Sequence, residues 1–135
     1  MTRAAAFAAL ALAAAGLGCG TPSADLFVVE RSGDLPGAEL DLVVGDGGSV
    51  TCNGTERDIT SQQLLDARTL ADDLMPLLDD GIALPRGEQS LLRFEVIGQE
   101  GRATFWDSSR GLRPELARVI AFTREIAKQA CRLPR

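Results

Sequence analysis

The chain has 135 residues, with 14 basic and 19 acidic side chains and a net charge of −5 at pH 7. This length suits one compact domain and leaves no room for a second one. The acidic balance disfavours nucleic acid as a partner. The sequence has no histidine and no tyrosine, so it lacks the usual general base and the commonest metal ligand. We therefore expect a non-catalytic protein without a metal or a cofactor.

The first 18 residues have the organisation of a secretory signal. One positive charge, Arg3, precedes the uncharged and mostly apolar residues 4–18, as in a signal peptide. This run is too short for a membrane-spanning helix, which needs about 20 residues. The stretch Gly16-Leu-Gly-Cys19 resembles the lipobox of bacterial lipoproteins. The resemblance implies cleavage after residue 18, acylation of Cys19, and export to the bacterial cell envelope, where the lipid anchors the protein to the membrane. The alternative is that Cys19 is removed or remains a free thiol.

The chain after the leader is predicted to be a tether and one domain. Residues 19–24 are small or polar and form the lipidated tether, and residues 25–135 form a single domain. The predicted order of elements is β-β-β-α-β-β-α. This is an α+β fold, in which an antiparallel sheet of four to five strands has two helices packed on one face.

Five segments have the pattern of strands. Residues 26–29 are rich in β-formers, and residues 38–44 alternate apolar with polar side chains. A short third strand is predicted over residues 49–52. Residues 91–97 and 102–106 predict a second hairpin.

Two helices are predicted from start and stop signals. Thr60-Ser-Gln-Gln63 has the sequence of a capping box. Pro76 should kink or end the helix that it starts, and Gly81 offers a left-handed stop. Pro114 is suited to the first position of the closing helix. The residues predicted to face inward are Leu64, Ala67, Ala71, Leu74 and Leu78 in the first helix and Leu116, Val119, Ile120, Thr123, Ala127 and Ala130 in the second.

Two cysteines remain once Cys19 is assigned to the lipid. In an oxidising compartment such a pair usually forms a disulfide, so we expect a bridge between Cys52 and Cys131. The alternative is two buried free thiols. The sequence has no CxxC spacing, which leaves a zinc site or a redox motif without support.

A family resemblance extends over most of the domain. The features that carry it are Val29-Glu-Arg-Ser-Gly33, the following Pro36-Gly37, the helix ending near Pro76, the strand over residues 92–96 and the closing helix. Together they are similar to emfourin, a family of small proteinaceous inhibitors of thermolysin-like metallopeptidases. The likeness covers most of residues 26–130 in order and pattern. It implies a protease as the protein partner.

The candidate partner-binding loop comprises Ser32, Gly33, Asp34, Leu35 and Pro36. Flanking strands anchor this segment and Pro36 stiffens it, so little conformational entropy would be lost on docking. Leu35 is expected to be exposed and to fill the main pocket of the protease, with Asp34 near the catalytic metal. The alternative is an ordinary hairpin turn with Leu35 folded onto the core.

A different function is suggested by the uneven charge. Residues 25–80 contain 13 acidic and 3 basic side chains, whereas residues 110–135 contain 7 basic and 2 acidic ones. An accessory envelope lipoprotein could dock on a membrane partner through its basic last helix. The side chains that would matter are Arg110, Arg113, Arg118, Arg124, Lys128 and Arg132. A small-ligand site between sheet and helices has less support, because no cluster of convergent polar groups is evident. A monomer is expected in each case.

Overall fold

A computed structural model describes residues 24–133 of the chain. The predicted signal peptide, residues 1–18, and the predicted lipid attachment site, Cys19, lie outside the described residues. The elements are, in chain order, β1 (Asp25–Gly33), β2 (Leu40–Gly45), β3 (Ser49–Cys52), β4 (Thr55–Asp58), α1 (Ser61–Asp79), β5 (Leu92–Ile97), β6 (Arg102–Trp106) and α2 (Pro114–Gln129).

The strands form one sheet in the order β4-β3-β2-β1-β5-β6, with every neighbouring pair antiparallel. Both helices pack on one face of this sheet, so the predicted α+β fold is confirmed. β1 lies at the centre, between β2 and β5, because the chain leaves the first hairpin series through α1 and returns on the other side of β1. This return brings the start of β5 beside the end of β1.

The sheet has six strands, one more than the upper end of the prediction. The additional strand, β4, pairs with β3 across Asn53 and Gly54. Both turn residues have positive φ angles, 47° and 86°, as a two-residue type I′ hairpin turn requires. All four residues of β4 are exposed, so the strand has no buried face that an apolar pattern could reveal.

The core lies between the sheet and the helices. Alternate residues of each strand except β4 point into it, which follows from the period-two geometry of a strand. The buried apolar strand residues are Phe27, Val29, Leu40, Leu42, Val44, Val50, Cys52, Phe94, Val96, Ala103 and Phe105. They form one cluster with the buried residues of both helices.

The capping box at the start of α1 is confirmed. Thr60 Oγ1 accepts the Gln63 amide at 3.1 Å, and Gln63 Oε1 accepts the Thr60 amide at 2.9 Å. The same Gln63 side chain is buried and donates from Nε2 to Glu125 Oε1 at 3.2 Å and to Gln129 Oε1 at 3.0 Å. One glutamine therefore caps α1 and ties its first turn to α2.

The end of α1 differs from the simplest expectation for an internal proline. The helix continues past Pro76 to Asp79 and ends before Gly81. Leu77 and Leu78, which follow the proline, are buried in the core. Their packing holds the last turn in helical form although the proline lacks an amide hydrogen.

The buried faces of the helices are close to those predicted but not identical. Leu64, Ala71 and Ile120 are only half-buried, although they were expected to face inward. The helices touch each other as well as the sheet, so their apolar faces are wider than single stripes and turned slightly from the predicted direction. The buried apolar residues missed by the prediction are Leu70, Leu77, Phe122 and Ile126.

The predicted disulfide is confirmed. Cys52 and Cys131 are bonded, with their Cα atoms 5.7 Å apart. The bridge joins the end of β3 to the residue that follows the final turn of α2, so it fastens the C-terminal end of the described chain to the sheet.

Candidate functional site

The predicted loop is shorter than the sequence suggested. Ser32 and Gly33 belong to β1, where they pair with Arg93 and Leu92 of β5. The connection to β2 consists of residues 34–39, which we call the β1–β2 loop. Of the five residues predicted to bind a partner, three therefore lie in a loop and two lie in the sheet.

Gly33 has a structural reason to be glycine. Its φ angle is 152°, in the region that other residues rarely adopt. A Cβ atom at this position would lie 2.1 Å from the carbonyl oxygen of Leu91. This distance is too short for any residue with a Cβ atom. The glycine allows the end of β1 to approach the segment before β5, and this approach brings Leu91 next to the β1–β2 loop.

The backbone of the β1–β2 loop is held at both ends. The amide of Asp34 donates to the carbonyl of Leu91 at 3.1 Å, and the amide of Ala38 donates to the carbonyl of Leu35 at 3.0 Å. The first bond fixes the loop to the neighbouring segment, and the second closes a turn around Pro36. The loop is thus ordered by its own chain before any partner arrives.

Arg31 holds the β1–β2 loop through hydrogen bonds from its side chain. This residue occupies an inward position of β1, two residues after Val29, and it is only 4% exposed. Its Nε donates to the carbonyl of Ala38 at 2.8 Å and its Nη2 donates to the carbonyl of Gly37 at 3.2 Å. Bonds from a cation to backbone carbonyls are stronger than neutral ones, so the guanidinium group fixes the second half of the loop.

The side chain of Asp34 is engaged with a cation. Arg86 Nη2 lies 2.9 Å from Asp34 Oδ2 and also donates to the carbonyl of Ser90 at 3.0 Å. The Arg86 guanidinium group stacks over the ring of Trp106, 4.5 Å from its centroid, which holds it in place. Asp34 would have to leave Arg86 before its carboxylate could approach a metal ion of another protein.

Leu35 is half-buried, whereas the loop hypothesis expected an exposed side chain. It lines a surface pocket of about 480 Å³ together with Pro36, Ala38, Leu91 and Leu92. This volume is within the range of ligand-binding clefts in proteins. Leu91 is 45% exposed and is one of three large apolar side chains with such exposure among the described residues. The apolar walls of the pocket are thus open to solvent.

The other walls of the pocket are charged. Arg31, Arg124 and Lys128 contribute three cations, and Asp107 contributes one carboxylate. Arg124 and Lys128 are four residues apart on α2 and so share a face of the helix. The pocket is positive, although the protein as a whole is acidic.

The cations lie close enough to influence one another. Burial, followed by the neighbouring charge of Arg124, lowers the pKa of Arg31, as expected where like charges meet away from solvent. Among residues 24–133, neither Arg124 nor Lys128 forms an ion pair with a carboxylate. The positive charge of α2 at this pocket is therefore not neutralised by the described part of the chain.

The structure brings together parts of both sequence-based hypotheses. The β1–β2 loop and two of the basic residues of the last helix, Arg124 and Lys128, line the same pocket. The other basic residues are placed differently: Arg118 pairs with Asp73 at 2.8 Å, and the remaining ones are exposed outside this pocket, namely Arg110, Arg113 and Arg132.

Sequence reasoning missed most of the pocket. Leu91, Leu92 and Asp107 were not candidates, and Arg31 was noted only as part of a family signature. A signal for Arg31 exists in the alternation of β1, because Phe27 and Val29 point inward and Arg31 continues their series. A cation at an inward strand position indicates a buried polar site.

Among residues 24–133, no group of three or more histidine, cysteine, aspartate or glutamate side chains is arranged to hold a metal ion. No helix within the same range combines the length and apolar character needed to cross a membrane. Comparison of the chain with protein-family profiles, curated proteins and solved structures finds no match.

Proposed function

We propose that this protein is a non-catalytic binding protein, held by lipid at Cys19 on the extracytoplasmic side of a bacterial envelope, and that it docks on a protein partner. The docking surface is the end of the domain formed by the β1–β2 loop and the C-terminal half of α2. The observation that carries the proposal is that the loop, Arg124 and Lys128 line the same pocket.

A thermolysin-like metallopeptidase is the partner that the resemblance to emfourin implies. The order of the loop supports this form of the proposal. Asp34, Pro36 and Gly37 are exposed, while the backbone around them is hydrogen-bonded to Leu91 and Arg31. A segment that is exposed and already ordered loses little entropy when it binds.

Inhibition of thermolysin by the purified protein tests whether a thermolysin-like metallopeptidase is the partner. We expect tight inhibition, with at least a tenfold weaker effect of the Leu35→Ala variant, because truncating an interface anchor costs more than about 1.4 kcal/mol. Leu65→Ala is the matched control, since Leu65 is 53% exposed and lies on α1, away from the loop. Absence of inhibition by an intact, folded protein would exclude this partner. Loss of thermal stability in Leu35→Ala would contradict the loop assignment.

An accessory role on another membrane protein is the second candidate. It is favoured by Arg124 and Lys128, which form no ion pair with a carboxylate among the described residues. Capture of a membrane partner should then weaken steeply with salt, because exposed charges are screened within about 8–10 Å near physiological ionic strength. The double change Arg124→Gln/Lys128→Gln should abolish capture, whereas Arg110→Gln/Arg113→Gln, with the same change in charge, should not.

A further inference from the structure

We infer that the pocket between the β1–β2 loop and α2 recognises the C-terminal residue of a polypeptide that ends in an apolar side chain. The inference rests on the proposed function, because it names the part of the partner protein that enters the pocket. It rests on three features of the pocket walls: the two cations of α2, the leucine side chains, and one carboxylate with an oxygen that has no hydrogen bond among residues 24–133.

The cations predict an anionic group in the ligand. Arg124 and Lys128 have no carboxylate partner among residues 24–133, and they project from one face of α2 into a pocket whose floor carries the buried cation Arg31. Burial in the first place, and the charge of Arg124 in the second, lower the pKa of Arg31. An anion bound beside Arg124 and Lys128 would form charge-assisted hydrogen bonds with both side chains.

The apolar walls determine what carries that anion. Leu35, Leu91 and Leu92 line the same pocket, and 45% of Leu91 remains exposed to solvent. An inorganic anion would leave this apolar surface exposed to solvent. An aliphatic side chain next to the anionic group would bury the leucine side chains. Burial of apolar area provides about 25 cal/mol per Å², so a ligand with both features is favoured over an anion alone.

Asp107 separates a peptide from a simple fatty acid. Its Oδ1 accepts the amide of Leu91 at 3.0 Å, and within residues 24–133 its Oδ2 has no hydrogen bond. The Asp107 carboxylate would repel the carboxylate of a fatty acid, which also has no N–H group to donate to Asp107. It can accept the backbone N–H of a terminal amino acid, whose carboxylate then faces the cations and whose side chain faces the leucines. Capture of a terminal carboxylate is an established mode of peptide recognition.

The test measures binding of a fluorescently labelled peptide, blocked at its N-terminus and ending in Ala-Ala-Leu with a free carboxylate, to the purified protein. Fluorescence anisotropy should show saturable binding. The same peptide with a C-terminal amide, or ending in serine, should bind at least tenfold more weakly. Decanoate also combines a carboxylate with an aliphatic chain and tests whether a fatty acid is the ligand. It should not displace the peptide at equal concentration.

Variants locate the site. Arg124→Gln and Lys128→Gln should each weaken binding about tenfold, the loss of one charge-assisted contact, and Leu91→Ala should weaken it several-fold. Arg113→Gln and Leu65→Ala are the matched controls, with the same changes outside the pocket, and should alter the affinity less than twofold.

Equal binding of the acid and amide peptides, preferential binding of decanoate, or insensitivity to the α2 variants would each overturn the inference. Its failure can be told apart from that of the proposed function. Capture of a protein partner that is lost in Arg124→Gln/Lys128→Gln while no peptide binds would overturn the terminal-residue inference alone. Absence of both partner capture and peptide binding would overturn both.

Discussion

The disulfide should provide a large share of the stability of this domain. Cys52 and Cys131 are 79 positions apart, and the chain-entropy relation for a loop of this length gives about 4.5 kcal/mol at 25 °C. Domains of this size have total stabilities of about 5–15 kcal/mol. Loss of the bridge is therefore expected to leave a domain that is only marginally folded.

Urea denaturation of the oxidised and reduced protein measures this contribution. Trp106 is the single tryptophan and lies at the end of β6, so its fluorescence reports on the folded sheet. With a slope of about 1.5 kcal/mol per M of urea, a loss of about 4.5 kcal/mol lowers the midpoint by about 3 M. Reduction removes no side-chain atom and adds only two hydrogens, so the shift in the midpoint measures the effect of the covalent link alone.

The double variant Cys52→Ala/Cys131→Ala provides the control. Both sulfur atoms lie in the buried cluster, so this variant loses the bridge and some packing, and its midpoint should fall at least as far as that of the reduced protein. The reducing agent should not shift it further. A midpoint change corresponding to less than about 1 kcal/mol on reduction would refute the reasoning, because it would show that the packing of α2 alone holds the chain end.

Three further outcomes are expected. Thr123→Val should raise the free energy of unfolding by about 1 kcal/mol, because Thr123 is fully buried and its Oγ1 has no hydrogen-bond partner among the described residues; a loss of stability in chemical denaturation would contradict this. Gly33→Ala should lower the melting temperature, with a cost of about 2 kcal/mol or more, since the added methyl group meets the Leu91 carbonyl at 2.1 Å and φ is positive; a wild-type melting curve would exclude the close approach. Cys19→Ser should move the protein from the membrane fraction to the soluble fraction of its host cell and abolish incorporation of labelled palmitate, and unchanged membrane association would exclude lipid attachment at this residue.

The sequence predicted those parts of the fold that local chemistry determines. The capping box at Thr60 depends on residues three positions apart, and the alternation in β2 depends on nearest neighbours, so both could be read directly. β4 was missed for the opposite reason. Its four residues are all exposed, so its sequence has no alternation of apolar and polar side chains. The Asn53-Gly54 dipeptide was the available signal, because few sequences favour a two-residue hairpin turn as strongly.

The pocket could not be predicted because its walls come from distant parts of the chain. Arg31, Leu91 and Arg124 are brought together only when β5 pairs with β1 and α2 crosses the sheet. The loop hypothesis treated residues 32–36 as one exposed segment. Pairing with β5 instead extends β1 to Gly33, since the return of the chain beside β1 offers hydrogen-bond partners that a local reading does not contain.

The disulfide and the pocket are parts of one arrangement. Lys128 lies in the last turn of α2 and Cys131 follows that turn, so the bond to Cys52 holds the pocket-lining end of the helix against β3. Helix ends fray more easily than their centres, and a frayed turn would move Lys128 away from the loop that Arg31 fixes. A ligand would then have to order the turn as it bound, with a loss of affinity. Under the proposed localisation, the compartment that oxidises the cysteines is also the one in which the pocket is complete, so the protein would reach its binding-competent form only after export.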